Sequence, residues 1–235
     1  MPRMLDGPTS AIAAKGLGKR FGARWVLRGV TLDVRGGEAV GLLGPNGSGK
    51  STVLRVLATL LGPSAGGAAV NGLDVVRQAG EVRRQVGYLA HAAGLYDDLT
   101  ARENLAFAAD MLGVPRSAAD EALERAGLTR VANDRVRGFS AGMQRRLGLA
   151  RLVMRRPTVL LLDEPYANLD ADGISIMNDV LGEIVRDGGA ALLALHELAP
   201  AAGMLDRTVT LVDGRIAEPS GERHDASSLS IPAVR

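Results

Sequence analysis

The stretch at residues 44–52 constrains the fold of this chain more than any other. It reads Gly-Pro-Asn-Gly-Ser-Gly-Lys-Ser-Thr and fits the pattern G-x-x-x-x-G-K-[ST]. Its glycines let the backbone bend so that successive N–H groups reach phosphate oxygens, while Lys50 adds a cation and Ser51 a hydroxyl suited to Mg²⁺. We therefore predict a phosphate cradle for a nucleotide, formed by Gly44, Pro45, Asn46, Gly47, Ser48, Gly49, Lys50, Ser51 and Thr52.

The residues around this loop support the prediction. Residues 40–43 are apolar and indicate a short buried strand, and apolar residues from Val53 to Leu61 recur at helical spacing. Strand, loop and helix in this order place the loop at a helix N-terminus, whose dipole favours an anion. A glycine-rich surface turn with an accidental lysine is the alternative, and this setting disfavours it.

Composition limits the other classes of function. At 235 residues, the chain is long enough for one large or two small domains. No run approaches the roughly 20 apolar residues of a membrane span, the N-terminus lacks an apolar signal segment, and there are 0 Cys. We expect an unexported, cytoplasmic protein. The 28 basic and 26 acidic residues nearly balance and aromatic residues are only 3%, so we expect no nucleic-acid partner.

The chain before the loop predicts an antiparallel sheet. Residues 11–40 read as short extended pieces separated by glycines. Phe21 falls on a turn in this region. It is either a platform for stacking a purine or an ordinary packing residue, and the residues alone leave both interpretations open.

The chain after the loop predicts a helical lobe. Thr100 and Glu103 form a capping-box pattern for a helix at residues 101–112, and a second helix is predicted at 117–126. No strand pattern lies between them, so we expect helices inserted into an α/β core. Ser140 precedes a further helical segment at 145–154 with an arginine-rich face, which we expect to be solvated.

Two acids follow the most apolar strand of the chain. Residues 158–162 predict a central parallel strand that ends at Asp163 and Glu164, on the side where α/β sheets bind ligands. One carboxylate can hold Mg²⁺ and the other can orient or deprotonate a water molecule. Acids that merely end a strand are the alternative, which the phosphate loop disfavours. A second apolar strand at 190–195 ends at His196, either a γ-phosphate contact or a structural histidine.

The C-terminal part predicts simpler features. Residues 173–186 indicate a helix, and residues 208–217 a hairpin with its turn at Asp213-Gly214. Residues 218–235 are rich in Pro, Ser, Gly and charged residues, and predict a mobile tail.

Taken together, residues 9–217 resemble the ATP-binding subunits of ABC transporters. Phe139-Ser140-Ala141-Gly142-Met143 is similar to the signature sequence of that family, usually Leu-Ser-Gly-Gly-Gln, with departures at the first, third and fifth positions. The resemblance implies an α/β P-loop NTPase core, an N-terminal antiparallel β subdomain and an α-helical subdomain inserted at about residues 95–155. It also implies ATP and Mg²⁺ as cofactors.

The resemblance assigns a role to each matched position. It implies Ser51 and Asp163 at the metal, Glu164 as catalytic base, His196 and His91 beside the reacting phosphate, Phe21 stacked on adenine, Ser140 and Gly142 at the γ-phosphate of a partner subunit, and Asp170 in the loop that crosses the dimer interface. The implied assembly is an ATP-dependent homodimer, bound to separate transmembrane permease subunits at the cytoplasmic side of the membrane.

His91 distinguishes this chain within the family, most members of which carry glutamine at that position. The surrounding residues 87–95 and 99–105 are similar to the haem-exporter ATP-binding subunit of cytochrome c maturation. Three alternatives remain: an exporter of a drug, lipid or polysaccharide, a soluble ABC protein acting on nucleic acid or ribosomes, and a non-hydrolysing nucleotide-gated module.

Overall fold

The computed structural model describes residues 10–92 and 94–217. The predicted tail at 218–235 and the predicted domain start at residue 9 lie outside the described residues. The strands are β1 Ser10–Phe21, β2 Arg24–Arg35, β3 Ala39–Leu43, β4 Ala65–Val70, β5 Leu73–Asp74, β6 Val86–Leu89, β7 Val159–Asp163, β8 Ala190–Ala194, β9 Arg207–Val212 and β10 Arg215–Ile216. The α-helices are α1 Lys50–Leu57, α2 Ala79–Gln85, α3 Ala101–Leu112, α4 Ser117–Arg125, α5 Ala141–Val153 and α6 Ala171–Arg186.

An antiparallel sheet with the order β2-β1-β4-β5 forms one layer. The prediction of an antiparallel sheet is confirmed, but the prediction of short pieces is wrong, because β1 and β2 are each 12 residues long. The glycines do not end these strands. The β1–β2 register shifts between Ala14 and Leu17, where Gly16 has a φ of 58°, so this glycine lies within an irregularity of a continuous strand.

A second sheet has the order β10-β9-β3-β8-β7-β6 and is parallel except for the β9–β10 hairpin. Every residue of β7 and β8 is buried, as predicted for central parallel strands. The predicted hairpin is also confirmed. The phosphate loop and His196 follow the carboxyl ends of β3 and β8, and Asp163 is the last residue of β7. These three strands are neighbours in the sheet. The topology therefore brings these candidate residues together at the carboxyl ends of the parallel strands.

Helix α1 is shorter than its apolar spacing predicts. It ends at Leu57, and Thr59 adopts a left-handed φ of 61° that breaks the helical path. Leu60 consequently points into solvent and is 59% exposed, whereas Leu61 packs against the core. The apolar pattern continued past the end of the helix because Leu61 joins the core from the following turn.

Helices α3, α4 and α5 form a lobe with its own hydrophobic core, centred on residues such as Leu105, Leu123 and Leu147. The bounds of α3 agree with the prediction. Helix α4 agrees to within a residue at its C-terminal end, and α5 begins four residues earlier than predicted, directly after Ser140, whose Oγ accepts a hydrogen bond from the Met143 N–H. Among the helices of residues 10–92 and 94–217, none combines the length and apolar character that crossing a membrane requires.

The first turn of α3 offers a test of the lobe. The Thr100 Oγ1 accepts from the Glu103 N–H at 3.1 Å, and the Thr100 N–H donates to Glu103 Oε2 at 2.8 Å, which confirms the predicted capping box. We expect Thr100→Ala to lower the free energy of unfolding by about 1 kcal/mol, since one N–H at the helix start loses its partner. Urea denaturation measures the effect. Thr129→Ala, at an exposed threonine of the same lobe, serves as the control and is expected to change stability little; equal stability of the two variants would contradict the role of the cap.

Candidate nucleotide-binding and hydrolysis site

The loop between β3 and α1 has a shape that only glycine permits at two positions. Gly44 and Gly49 have φ values of 146° and 111°. A Cβ atom on Gly44 would lie 2.1 Å from the Leu211 carbonyl oxygen, and one on Gly49 would lie 2.7 Å from Leu27 Cδ2. Gly49 is the N-cap of α1, and no side chain of the described residues accepts a hydrogen bond from the first N–H groups of this helix. This geometry suits a bound phosphate.

Lys50 lies against the carbonyl groups of the same loop. Lys50 is only 6% exposed, and its Nζ donates to the Gly44 oxygen at 2.6 Å and to the Pro45 oxygen at 3.2 Å. Burial lowers the pKa of Lys50, and the nearby carboxylates of Glu164 and Asp163 oppose that shift. The loop therefore holds a partly desolvated ammonium group, for which phosphate oxygens would be stronger partners than carbonyls.

Ser51, in the first turn of α1, contacts Asp163 at the carboxyl end of β7. Ser51 Oγ donates to Asp163 Oδ1 at 3.0 Å, and Asp163 is only 2% exposed. Within the part of the chain that the structure describes, the buried atoms Asp163 Oδ2 and Ser48 Oγ have no hydrogen-bond partner. Leaving a buried carboxylate oxygen unpaired is costly. These hard oxygen ligands fit Mg²⁺, which Ser51 and Asp163 would hold.

Glu164 lies between two histidines from different segments. His196 Nε2 is 2.6 Å from Glu164 Oε1, and His91 Nδ1 is 3.3 Å from Glu164 Oε2. The Glu164 side chain is 28% exposed, so a water molecule can approach it. Sequence patterns placed Glu164 and His196 at the ends of two strands, and the family resemblance implied that His91 lies beside the reacting phosphate. The structure joins them in one cluster beside Asp163, which is the arrangement expected of a general base with orienting partners.

Ser140 and Gly142 lie at the start of α5, and Asp170 lies at the start of α6. Asp170 caps α6 by accepting from the Gly173 N–H at 2.9 Å, so the helix begins before the predicted residue 173. The start of α5 packs closely on the loop before α6, since a Cβ atom on Gly142 would lie 2.6 Å from the Asn168 oxygen. Within the described residues, no hydrogen bond joins Ser140 to the phosphate loop of the same chain. A nucleotide contact at Ser140 thus remains a prediction that involves a partner subunit.

Phe21 lies at the end of β1 and is 49% exposed. The Lys19 ammonium is 5.3 Å from the centre of its ring. This exposure disfavours ordinary core packing, which was the alternative to a stacking platform. Stacking on adenine stays a prediction.

Arg145 is a site residue that the sequence interpretation missed. The predicted solvated arginine face is wrong at this position, because Arg145 is only 4% exposed and its guanidinium donates to the backbone carbonyls of Glu164 and His91. A signal was present in the sequence. Arg145 is four and seven residues before Leu149 and Leu152, both buried, and therefore lies on the inward face of α5.

The two-sheet fold and the glycine loop between β3 and α1 define a phosphate-loop nucleotide-binding protein. Residues 27–167 match the family described as ABC transporter. The chain belongs to this family as one of its ATP-binding subunits. The predicted fold class, an α/β phosphate-loop core with an antiparallel β subdomain and an inserted helical subdomain, is thereby confirmed.

Relatives of this chain carry different functional names. The chain is 40% identical over 230 residues to a daunorubicin resistance ATP-binding protein of Streptomyces coeruleorubidus, covering 92% of this chain and 73% of that protein. It is 38% identical over 196 residues to a cytochrome c biogenesis ATP-binding export protein of Cupriavidus metallidurans, covering 83% of this chain and 93% of that protein. A dimeric ATP-binding cassette, solved in a post-hydrolysis state with ADP and phosphate, superposes with a TM-score of 0.80 at 28% identity, covering 88% of this chain and 97% of that one.

Proposed function

We propose that this chain is a Mg²⁺-dependent ATPase subunit that drives a separate membrane permease from the cytoplasmic side of the membrane. The observation that carries the proposal is the cluster of Asp163, Glu164 and His196 beside the buried ammonium of Lys50. One carboxylate has an unpaired buried oxygen for a cation, and the other lies 2.6 Å from His196 Nε2 and is open to water. These are the parts that phosphoryl transfer to water requires.

The chemistry assigns a task to each side chain. Lys50 and the loop N–H groups bind the β- and γ-phosphates, and Mg²⁺ held by Ser51 and Asp163 would supply charge that stabilises the transferred phosphoryl group. Glu164 accepts a proton from the attacking water, whose oxygen bonds to the γ-phosphorus as the bond to the bridging oxygen breaks. His196 turns from the Glu164 carboxylate to the γ-phosphate. ADP and phosphate are the products.

The site is completed by a second copy of the chain. Ser140 and Gly142 lie at an exposed helix start, and Asp170 follows in the adjacent loop. In the proposed homodimer, each ATP lies between the phosphate loop of one chain and Ser140 with Gly142 of the other. The dimeric state of the superposed cassette supports this assembly. ATP then binds the closed dimer far better than the open one, and hydrolysis releases it.

The permease is proposed to dock in a groove between β6 and the helical lobe. The groove has a volume of about 310 Å³ and is lined in part by Tyr96, Phe107 and Met111. The Tyr96 and Phe107 rings pack edge to face at 5.3 Å, and Met111 is 73% exposed. Exposed apolar side chains along a concave surface favour an apolar partner segment.

Haem export in cytochrome c maturation is our proposal for the cargo, on the strength of His91 and the residues around it. The similarity to the cytochrome c biogenesis protein along most of that protein's length supports it. Export of an apolar drug is the second candidate, since the daunorubicin resistance protein has slightly higher identity over a longer stretch.

Copurification from membranes tests the proposal. We expect the tagged chain to bring down a membrane-spanning partner, and Phe107→Asp to reduce the recovered partner at least about fivefold, because a charge in the apolar groove is poorly solvated. Val76→Asp is the matched control, since Val76 is 58% exposed in a different loop. Recovery of no membrane protein by the unmodified chain would contradict the proposal.

Deletion of the gene then separates the two cargoes. Loss of covalent haem in c-type cytochromes, restored by the intact gene, is expected for haem export. Normal cytochromes together with increased sensitivity to daunorubicin would contradict haem export and support the drug exporter.

A further inference from the structure

The guanidinium group of Arg145 connects three segments that are distant in sequence. Nη1 donates to the carbonyl oxygens of Ala90 and His91 at 2.5 and 3.1 Å. Nη2 donates to the oxygens of Asp163 and Glu164, the latter at 2.5 Å, and Nε donates to the Pro165 oxygen at 3.3 Å. A guanidinium group has five N–H donors, and all of them are used here. Helix α5 is thereby fixed to the loop after β6 and to the end of β7.

The backbone at Glu164 explains why the carbonyls converge. Glu164 has a φ of 51°, in the left-handed region that residues other than glycine seldom adopt. This turn directs the oxygens of residues 163, 164 and 165 to one guanidinium instead of along an extended strand. Such a conformation persists only where surrounding contacts hold it. Arg145 holds this turn through the three carbonyl oxygens. The Ala194 carbonyl also holds it, by accepting a hydrogen bond from the Glu164 N–H at 3.0 Å.

The same guanidinium fixes the backbone of His91, whose ring contacts the Glu164 carboxylate. Glu164 and His91 are thus tied to one rigid group through their main chains while their side chains meet 3.3 Å apart. Arg145 itself is buried and approaches the candidate base from the protein side. Its planar fork can hold several acceptors at fixed angles, which the flexible, three-donor ammonium of lysine cannot reproduce.

We propose that Arg145 is a positioning residue for ATP hydrolysis. It sets the direction of the Glu164 carboxylate and the place of the His91 ring by holding the backbone of both. It acts only through these residues and has no contact with the nucleotide. The proposal rests on the proposed ATPase function.

Steady-state kinetics of the purified full chain tests the proposal. We expect Arg145→Lys, which keeps three donors, to lower kcat about tenfold, and Arg145→Met, which keeps none, to lower it about a hundredfold. The KM for ATP changes less than about threefold in both, because the phosphate loop is intact. The control is Arg207→Met, since Arg207 also donates to a backbone carbonyl, that of Asp33 at 2.6 Å, and lies outside the site. It is expected to lower the thermal midpoint while kcat stays within about twofold of the parent.

Histidine NMR of the nucleotide-free chain gives a readout that does not depend on activity. The sequence contains 3 His, so the ring signals of His91 and His196 are assigned by replacing each in turn. We expect Arg145→Lys to shift the His91 ring signals and Arg207→Met to leave them in place. A folded Arg145→Lys with parental kcat and parental His91 signals would overturn the proposal, and this variant decides the matter if Arg145→Met does not fold.

The outcomes distinguish failure of the two proposals. An inactive parent chain with its permease present would contradict the proposed ATPase function. An active parent chain whose Arg145 variants hydrolyse ATP at the parental rate would contradict the positioning role alone. A fall in kcat that vanishes when rates are divided by the folded fraction would also contradict it.

Discussion

Glu164→Gln is expected to lower the rate of ATP hydrolysis by at least about a hundredfold, because a positioned general base contributes that much or more. The amide retains the shape of the carboxylate but has no affinity for the proton of the attacking water. ATP binding is expected to persist, since Lys50 and the glycine loop remain. Release of phosphate from the purified chain measures the rate.

The same variant is expected to accumulate as a closed dimer with ATP. Size-exclusion chromatography with and without ATP detects this change, because unhydrolysed γ-phosphate keeps the two subunits together. Glu121→Gln, at an exposed acid of α4, serves as the control and is expected to behave like the parent chain. Parental turnover by Glu164→Gln would remove Glu164 from the role of base.

Lys50→Met is expected to weaken ATP binding by about tenfold to a hundredfold, the effect of losing a charged hydrogen bond worth about 1.5–3 kcal/mol. The Lys50 ammonium is partly desolvated between the Gly44 and Pro45 oxygens, so its attraction to a phosphate is screened little by water. Titration with a fluorescent ATP analogue measures the affinity.

The stability of this variant distinguishes a lost contact from a damaged loop. Methionine replaces a buried cation by an apolar chain of similar length, so we expect the thermal midpoint to equal or exceed that of the parent. Lys15→Met, at an exposed lysine of β1, is the control for affinity. ATP affinity that is equal in the two variants would contradict the phosphate contact of Lys50.

Local sequence patterns determined the parts of the site that depend on neighbouring residues. The glycine loop, the capping box at Thr100 and the apolar strand before Asp163 are all present as predicted. In each, residues a few positions apart fix the backbone conformation or the burial of one element. The sequence also indicated that the candidate functional residues lie at the carboxyl ends of β3, β7 and β8, because they come directly after apolar runs that form strands.

Tertiary structure alone decided how those elements meet. The contacts of Glu164 with both His91 and His196 depend on the order of β3, β8, β7 and β6 in the sheet, which no local pattern encodes. The continuity of β1 past Gly16 likewise depends on its partner strands. An irregularity held by hydrogen bonds on both sides does not end a strand.

Arg145 shows most clearly the difference between what local sequence patterns determine and what tertiary contacts determine. Its charge predicted a solvated position, and only its helical spacing from Leu149 pointed inward. Burial of a guanidinium is tolerated where every donor finds an acceptor, and here the acceptors are carbonyls of residues 90, 91, 163, 164 and 165. The sequence by itself determined the glycine loop and the presence of two acids at the end of an apolar strand, because both are patterns of neighbouring residues. The folded chain decided which groups surround the base, because those contacts join separate elements of the fold, such as Arg145 and Ala90, which are 55 residues apart.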